Sequence, residues 1–421
     1  MTSSGCITRR SINRRERSRC TPIYCDRGRG AIVFLYLRVM RFGFLQTVSM
    51  IVLLPVGTLS VVRADGVSDW PVFRGDAALC GVADGTLPDR PVLRWSFKAG
   101  DSIRSPAVIA DGRVFVGCDD GVLYALRLAD GERMWTHVTE AAIEAPPLVV
   151  DDTVYVGSTD AFVYAIDASD GKRKWRYETG GRILGGANLW RSPTGDRRFI
   201  VVGSYDFQLH CVDAVSGKPV WTHLTDNYVN GTPAIAGDRV VFGGCDAVVH
   251  VLSMSTGKPA AQVPVGEGAY IAGSVALADD HAYFGHYGNQ FVCLDLVGGR
   301  MVWTYDGGQH PFFSSPAVDD KHVVFGGRDN QLHCVSRAGG QPLWTFRTRG
   351  AIDSSPVIIG GKVVAASTDG WLYVVSLADG GELWSYQIGR GIVASPAIVE
   401  GVIVIGAEDG RVYAFGAEPV Q

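Results

Sequence analysis

His210, His250 and His333 are the residues best suited to holding zinc, which draws its ligands to one point about 2.0 to 2.1 Å from the metal. Six cysteines between residues 65 and 421 (Cys80, Cys118, Cys211, Cys245, Cys293 and Cys334) suit a disulfide framework in an oxidising compartment. Asp120, Asp160, Asp206, Asp246, Asp329, Asp369 and Asp409 offer carboxylates of the kind calcium takes. Each chemistry requires its residues to converge, so the elements that carry them decide the matter.

Those elements repeat. "DGVLYALRLADGERMW" (120–135), "DAFVYAIDASDGKRKW" (160–175) and "DGWLYVVSLADGGELW" (369–384) are near copies. Trp95, Trp135, Trp175, Trp221, Trp303, Trp344 and Trp384 mark one position, with Ala261 filling the gap, at steps of 40, 40, 46, 40, 42, 41 and 40. A period near 41 with strand-like content predicts a propeller or solenoid. Within one unit, "SPAVIA", "RVFVG", "VLYALRL" and "RMWTHV" are strands separated by Asp-Gly turns, a four-stranded antiparallel meander. "VLYAL" and "FVYAI" are apolar on both faces, which fits a sheet packed between two others.

Eight first strands begin near Ser105, Ala145, Gly186, Thr232, Ser274, Ser315, Ser355 and Ser395. The last unit stops after three strands, and "PVLRWSFKAG" (91–100) carries Trp95 with no strands before it. The expected fold is therefore all-β: an eight-bladed propeller of four-stranded antiparallel blades, closed by the N-terminal strand around Trp95. Closure removes the open sheet edge. The tryptophans are expected as interblade docking residues; each fully buried ring is worth about 4 to 6 kcal/mol at about 25 cal/mol/Å² as an upper bound.

Register then dissolves the three chemistries. The histidines fall where other units carry Tyr124, Tyr164, Tyr373 and Tyr413 and so lie in separate blades. Cys211, Cys293 and Cys334 share the place of Ala125 and Ala165, and Cys118 and Cys245 are assigned to a second shared place; such positions are too far apart to bridge. The aspartates are turn formers in separate turns. No metal site and no catalytic residue is expected.

Recognition belongs instead to what varies. The links from each fourth strand to the next first strand differ from unit to unit and emerge at one mouth of the central channel, together with the second-to-third turns. Arg104, Glu144, Arg182, Tyr228, Asn230, Tyr270, His310, Phe312, Phe313 and Asp353 form the expected rim. Pro106, Pro233, Pro316, Pro356 and Pro396 are read as one recurring first-strand position. Six extra residues around "RSPTGDRR" (191–198) extend a hairpin on the opposite face, a second candidate contact surface.

The N-terminal region reads as an address. Residues 1–39 hold nine arginines against Glu16 and Asp26, a net of +7 that leaves −11 for the remainder of a −4 chain, so nucleic acid is disfavoured as a partner. Residues 1–39 are expected to be upstream sequence from a misassigned start. Residues 40–64 read as a signal peptide: Arg41, the apolar "MIVLLPVGTLSVV" and Val62-Arg63-Ala64 before cleavage. Residues 65–90 form a lead-in and 91–421 the propeller. The mature chain is expected to be a periplasmic or secreted monomer without stable membrane insertion.

"AIDASDGKRKW", "CVDAVSGKPVW" and "CLDLVGGRMVW" resemble the tryptophan-docking motif of the quinoprotein-like (PQQ-like) repeat family over residues 91–416, and "DWPVFRGDAALCGV" (69–82) is similar to the lead-in before such propellers in exported bacterial proteins. The resemblance implies two branches. One is the propeller lipoprotein of outer-membrane β-barrel assembly, which implies a non-catalytic scaffold with a protein or peptide partner in the envelope; no Cys follows the apolar run for lipid attachment. The other is the quinoprotein alcohol dehydrogenases, which implies pyrroloquinoline quinone with calcium; the adjacent Cys-Cys pair of those enzymes has no counterpart here. The leading expectation is the scaffold without cofactor, the alternatives a quinone-dependent dehydrogenase and an extracytoplasmic sensor of small ligands. Fold alone does not decide between them.

Overall fold

The computed structural model describes residues 69–418. The expected upstream segment and signal peptide fall outside them. Eight sheets form the propeller, each a blade of four antiparallel strands. Blade 1 comprises Val108–Ala110, Arg113–Gly117, Val122–Arg127 and Arg133–Val138. Blades 2 to 7 follow at 148–178, 188–224, 234–264, 276–306, 317–347 and 357–387. Blade 8 takes three strands from 397–416 and its outer strand, Val92–Lys98, from the other end, with Trp95 opposite Ala414.

The third strand of each blade is buried along its centre, because it packs against both neighbouring blades, whereas outer strands alternate exposed and half-buried. Two locks join successive blades. In the first, the Trp of one blade lies on the glycine of the next blade's third-to-fourth turn and donates its indole N–H to a nearby carbonyl. Trp95 bonds Leu128 O (2.8 Å), Trp135 Ala168 O (2.9 Å) and Trp344 Leu377 O (2.8 Å). Gly131 beneath Trp95 has φ +74°, and a Cβ there would stand 2.6 Å from the ring, so the repeated glycine is required twice over. In the second lock, Ile103, Ile143, Ile183, Val229, Ile271, Phe312, Ile352 and Ile392 are all buried, and most press on the glycine ending the preceding blade's second strand, such as Gly117 under Ile143.

The lead-in is a strap that runs around the inner strands near their C-terminal ends. Trp70 exchanges backbone bonds with Ile109 in blade 1, and Pro71 O accepts from Val149 N in blade 2. Ala77 O accepts from Asn188 in blade 3 and Ile235 N in blade 4, Ala78 O from Leu277 N, and Cys80 O from Val318 N. Val82–Ala83 then adds to blade 7 as a fifth, parallel strand. Arg74, only 1% exposed, reaches inward and donates to the carbonyls of Ser355, Pro316 and Pro356. Burial lowers its guanidinium to about 9, against the raising effect of Asp76.

Two register assignments are corrected by the ladders. Val108 pairs with Phe115 as Ala397 pairs with Val404, so Pro106 and Pro146 align with Ser395, one place before Pro396. Gly117 and Gly243 end equivalent strands, which puts Cys118 and Cys245 one residue out of register with each other. The six described cysteines are unpaired. Cys211, Cys293 and Cys334 each lie opposite the Trp of their own blade, where only a small side chain leaves room.

Candidate functional site

The channel mouth opposite the strap is a funnel of about 200 Å³ to which all eight blades contribute, with Phe73 of the strap among its lining residues. Its wall is built first from backbone economy. Gly186 N donates to Thr232 Oγ, Thr232 N to Ser274 Oγ, Ser274 N to Ser315 Oγ, Ser315 N to Ser355 Oγ and Ser355 N to Ser395 Oγ, all at 2.8 to 3.0 Å. The hydroxyls thus join the blades as acceptors. Pro106 and Pro146 interrupt the chain of bonds because they carry no hydroxyl.

Above this wall, the links place the expected rim residues unequally. Arg104, Glu144, Asn230, Phe313 and Asp353 line the funnel. Arg182, Tyr228, Tyr270 and His310 stand exposed around it. Phe312 is a correction: it is 1% exposed and fills the blade-locking isoleucine position against Gly285, edge-on to Phe325 and His333 and tilted against Tyr305. Its link is longer than most, and the apolar anchor lies one residue before Phe313, the side chain that lines the funnel.

The second-to-third turns supply rim residues that the links alone miss. Two residues after the small residue (Gly, or Ala366 in blade 7) at the end of the second strand stands Asp119, Thr159, Tyr205, Cys245, Tyr287, Arg328, Thr368 or Glu408. This place varies inside a turn whose aspartate repeats, and that contrast was the signal available. Tyr205 stacks on Tyr228 (centroids 4.3 Å) beneath Arg182 (5.1 Å), and Phe207 meets Tyr228 edge-on (5.1 Å). Tyr287 lies 4.4 Å from Phe313, over which Arg328 sits at 4.2 Å while binding both Asp353 oxygens (3.0 and 2.8 Å). Phe207, Tyr228, Tyr270 and Tyr287 are all exposed, so blades 3 to 6 present an aromatic crescent.

Across the funnel, acids gather around Arg104. Arg104 stands 3.4 Å from Asp119 and 3.7 Å from Glu408. Burial holds the Asp119 carboxyl above its usual value; Arg104 opposes this, and Glu144, Asp101 and Glu408 add to it.

The turn aspartates below the rim are clamps. Tyr124 donates to Asp120 (2.8 Å), Tyr164 to Asp160 (2.7 Å), Tyr373 to Asp369 (2.8 Å) and Tyr413 to Asp409 (2.5 Å). In blades 3, 4 and 6 a histidine replaces the phenol: His210 with Asp206 (3.0 Å), His250 with Asp246 (2.8 Å) and His333 with Asp329 (3.0 Å). Tyr177 and Tyr305 hold the far ring nitrogens of His210 and His333 at 3.0 Å. The three histidines therefore serve three separate blades, and blade 5, with Gly288 and Val292, has no clamp. Among the described residues no group of three His, Cys, Asp or Glu is arranged to hold a metal ion.

A quinone cofactor with several carboxylates would need unengaged cations and donors here. Arg104 and Arg328 are committed to carboxylates and Arg182 lies over Tyr205. These cations do not fit that group.

Among solved structures, the chain is similar to BamB from Moraxella catarrhalis (20% identity, TM-score 0.65, 79% of this chain and 99% of that one). It is also similar to a quinohemoprotein alcohol dehydrogenase from Comamonas testosteroni (15%, 0.71, 86% and 83%) and to the computationally designed Ika8 protein (19%, 0.69, 77% and 99%). At these identities the likeness is one of fold. No curated protein matches the chain. A family model described as outer membrane protein assembly factor BamB matches residues 89–189, 181–260 and 245–419. The chain belongs to that family of PQQ-like repeat propellers.

Proposed function

We propose that this protein is an exported, non-catalytic propeller scaffold that holds a protein or peptide partner of the cell envelope at the funnel mouth. The aromatic crescent of blades 3 to 6 carries the reading. Tyrosine, phenylalanine and arginine dominate protein interface energetics, and here they gather on one face around a rigid ring. Kinship with an outer membrane assembly factor supports a role in outer-membrane protein assembly. The quinoprotein alternative draws on the same fold, yet Arg104, Arg182 and Arg328 are already engaged by the protein itself. A sensor of small ligands would use the same funnel but would leave the exposed crescent around it without a task.

The test is photo-cross-linking in the native envelope from residue analogues placed at Tyr228 and Tyr287. A discrete protein adduct, absent when the analogue sits on the opposite face at Thr256 in the third-to-fourth turn of blade 4, is the expected result; monomer alone would overturn the reading. In parallel, dye reduction with alcohols or glucose in the presence of pyrroloquinoline quinone and Ca²⁺ is expected to stay at background. Turnover lost in Arg104→Ala would establish the dehydrogenase instead.

A further inference from the structure

The funnel wall holds donors that the fold leaves unused. Thr232, Ser274, Ser315, Ser355 and Ser395 occupy one place in blades 4 to 8; all line the funnel, and each is at most 5% exposed. Each oxygen accepts a backbone amide from the preceding blade. A hydroxyl that accepts still has its O–H to give, and none of these five meets an acceptor among the described residues. One place earlier the outcome differs: Ser105 and Ser354 donate to the carbonyls of Ala145 and Ala394 at 2.8 and 2.9 Å. Five neighbouring O–H groups thus stand at the funnel wall without partners.

The surroundings add donors and few acceptors. Two residues before the hydroxyls come Asn230, Ala272, Phe313, Asp353 and Val393. Both Asp353 oxygens are held by Arg328, and Asn230 keeps its side-chain oxygen buried. Glu144 belongs to blade 2, where Pro146 takes the place of the hydroxyl. The exposed Tyr228, Tyr270 and Tyr287 present flat rings, and their phenol O–H groups make no hydrogen bond among the described residues. An ordinary polypeptide brings an N–H with every C=O, and those amides would find few acceptors on this surface. Proline keeps the C=O, lacks the N–H and offers an apolar ring.

We propose that the funnel and crescent receive a proline-rich segment of the partner, its carbonyls accepting from the wall hydroxyls and its rings lying on Tyr228, Tyr270 and Tyr287. This rests on the partner-binding reading and names the chemistry of the partner. Such a segment is extended before it docks, so it gives up less conformational freedom than a flexible chain.

The experiment uses the protein with three fluorescein-labelled decapeptides that differ only at five positions, filled by proline, alanine or N-methylalanine. N-methylalanine removes the amide N–H without adding the ring. Fluorescence anisotropy is expected to show the proline peptide bound about tenfold more tightly than the alanine peptide, with N-methylalanine between them. Ser315→Ala removes one wall O–H and should weaken the proline peptide about fivefold, whereas Ser315→Thr, which copies Thr232, should retain its affinity. Equal or tighter binding of the alanine peptide, N-methylalanine bound no better than alanine, an unchanged affinity in Ser315→Ala, or an equal loss in Ser315→Thr would each overturn the donor seat. If no peptide binds while the envelope adduct at Tyr228 and Tyr287 still forms, the proline chemistry falls and partner binding stands; if the adduct fails as well, both fall.

Discussion

Blades 7, 8, 1 and 2 form one arc of the ring and blades 3 to 6 the other, and the two arcs treat the same positions differently. In the first arc every turn aspartate is clamped by a tyrosine, and the varying turn residue is Thr368, Glu408, Asp119 or Thr159. In the second arc the clamp is histidine or missing, and the varying residue is Tyr205, Cys245, Tyr287 or Arg328. The first arc also contains the ring closure at blade 8. Divergence is thus concentrated away from the seam, in the blades that carry the exposed aromatics. A scaffold whose blades are locked by indole, glycine and isoleucine can vary its clamps and rim without losing closure.

Several substitutions sharpen or break this contrast. Phe312→Ala should cost about 3 to 5 kcal/mol, because it empties the space against Gly285 and leaves Phe325 and His333 without their neighbour. Chemical denaturation would measure it. A loss below about 1 kcal/mol would mean that blade 6 is not locked by this ring.

Next in size is a paired test of the tryptophan dock. Gly257 (φ +68°) lies under Trp221, with a built Cβ 2.6 Å from the indole, whereas Gly299 (φ +61°) faces the blade in which Ala261 replaces the Trp. Gly257→Ala is expected to cost about 2 to 3 kcal/mol and Gly299→Ala about 1, the backbone strain alone. Equal losses would remove the indole contact as the reason for the repeated glycine.

The clamps give the arcs opposite pH sensitivities. Burial raises Asp206, Asp246 and Asp329, but hydrogen bonds and the histidine charge outweigh it and hold them below the ordinary aspartate value of 3.8. Their stabilisation is present above that value and lost as pH falls through the lower folded one. His223 and His286, held below 6.5 by burial, add a loss that begins as pH falls past 6.5, since the unfolded chain takes up protons first. Burial, reinforced by the aspartates, pushes Tyr124 and Tyr164 up to about 12. Stability from these phenols is present below pH 10 and lost as pH rises toward 12. Hydrogen exchange should therefore accelerate first in blades 3 to 6 on acidification and in blades 1 and 2 on alkalinisation; the reverse order would break the comparison. The smallest effect is Tyr228→Ala, expected to change stability by no more than about 0.5 kcal/mol while weakening capture of the partner.

The architecture was legible because its locks are written in side chains: a Trp every 41 residues or so, with a turn glycine to receive it. The funnel was legible in part. Variation among the links points to Arg104, Glu144, Asn230, Phe313 and Asp353, but it points equally to Phe312, because two adjacent phenylalanines do not announce which one anchors. Tyr205, Tyr287 and Arg328 are hidden to it because they sit in a turn whose aspartate and following residues look purely structural. The strap is marked by "DWPVFRGDAALCGV", but its path across the blades is not, since it binds mostly through backbone carbonyls to backbone amides. Its one telling side chain, Arg74, is buried against the habit of arginine, and Gly81 is small because the Arg74 guanidinium occupies the space beside it.

That strap has a consequence for how the molecule is made. Its residues leave the ribosome before any blade, yet its hydrogen-bonding partners lie at 109, 149, 188, 235, 277, 318 and 358. The strap can therefore complete its path only once blade 7 has been made, and a chain cut short before it holds the strap by blades 1 to 6 alone. In such a chain Arg74 lacks the carbonyls of Ser355 and Pro356, so partly made molecules are distinguishable from finished ones by its exposure.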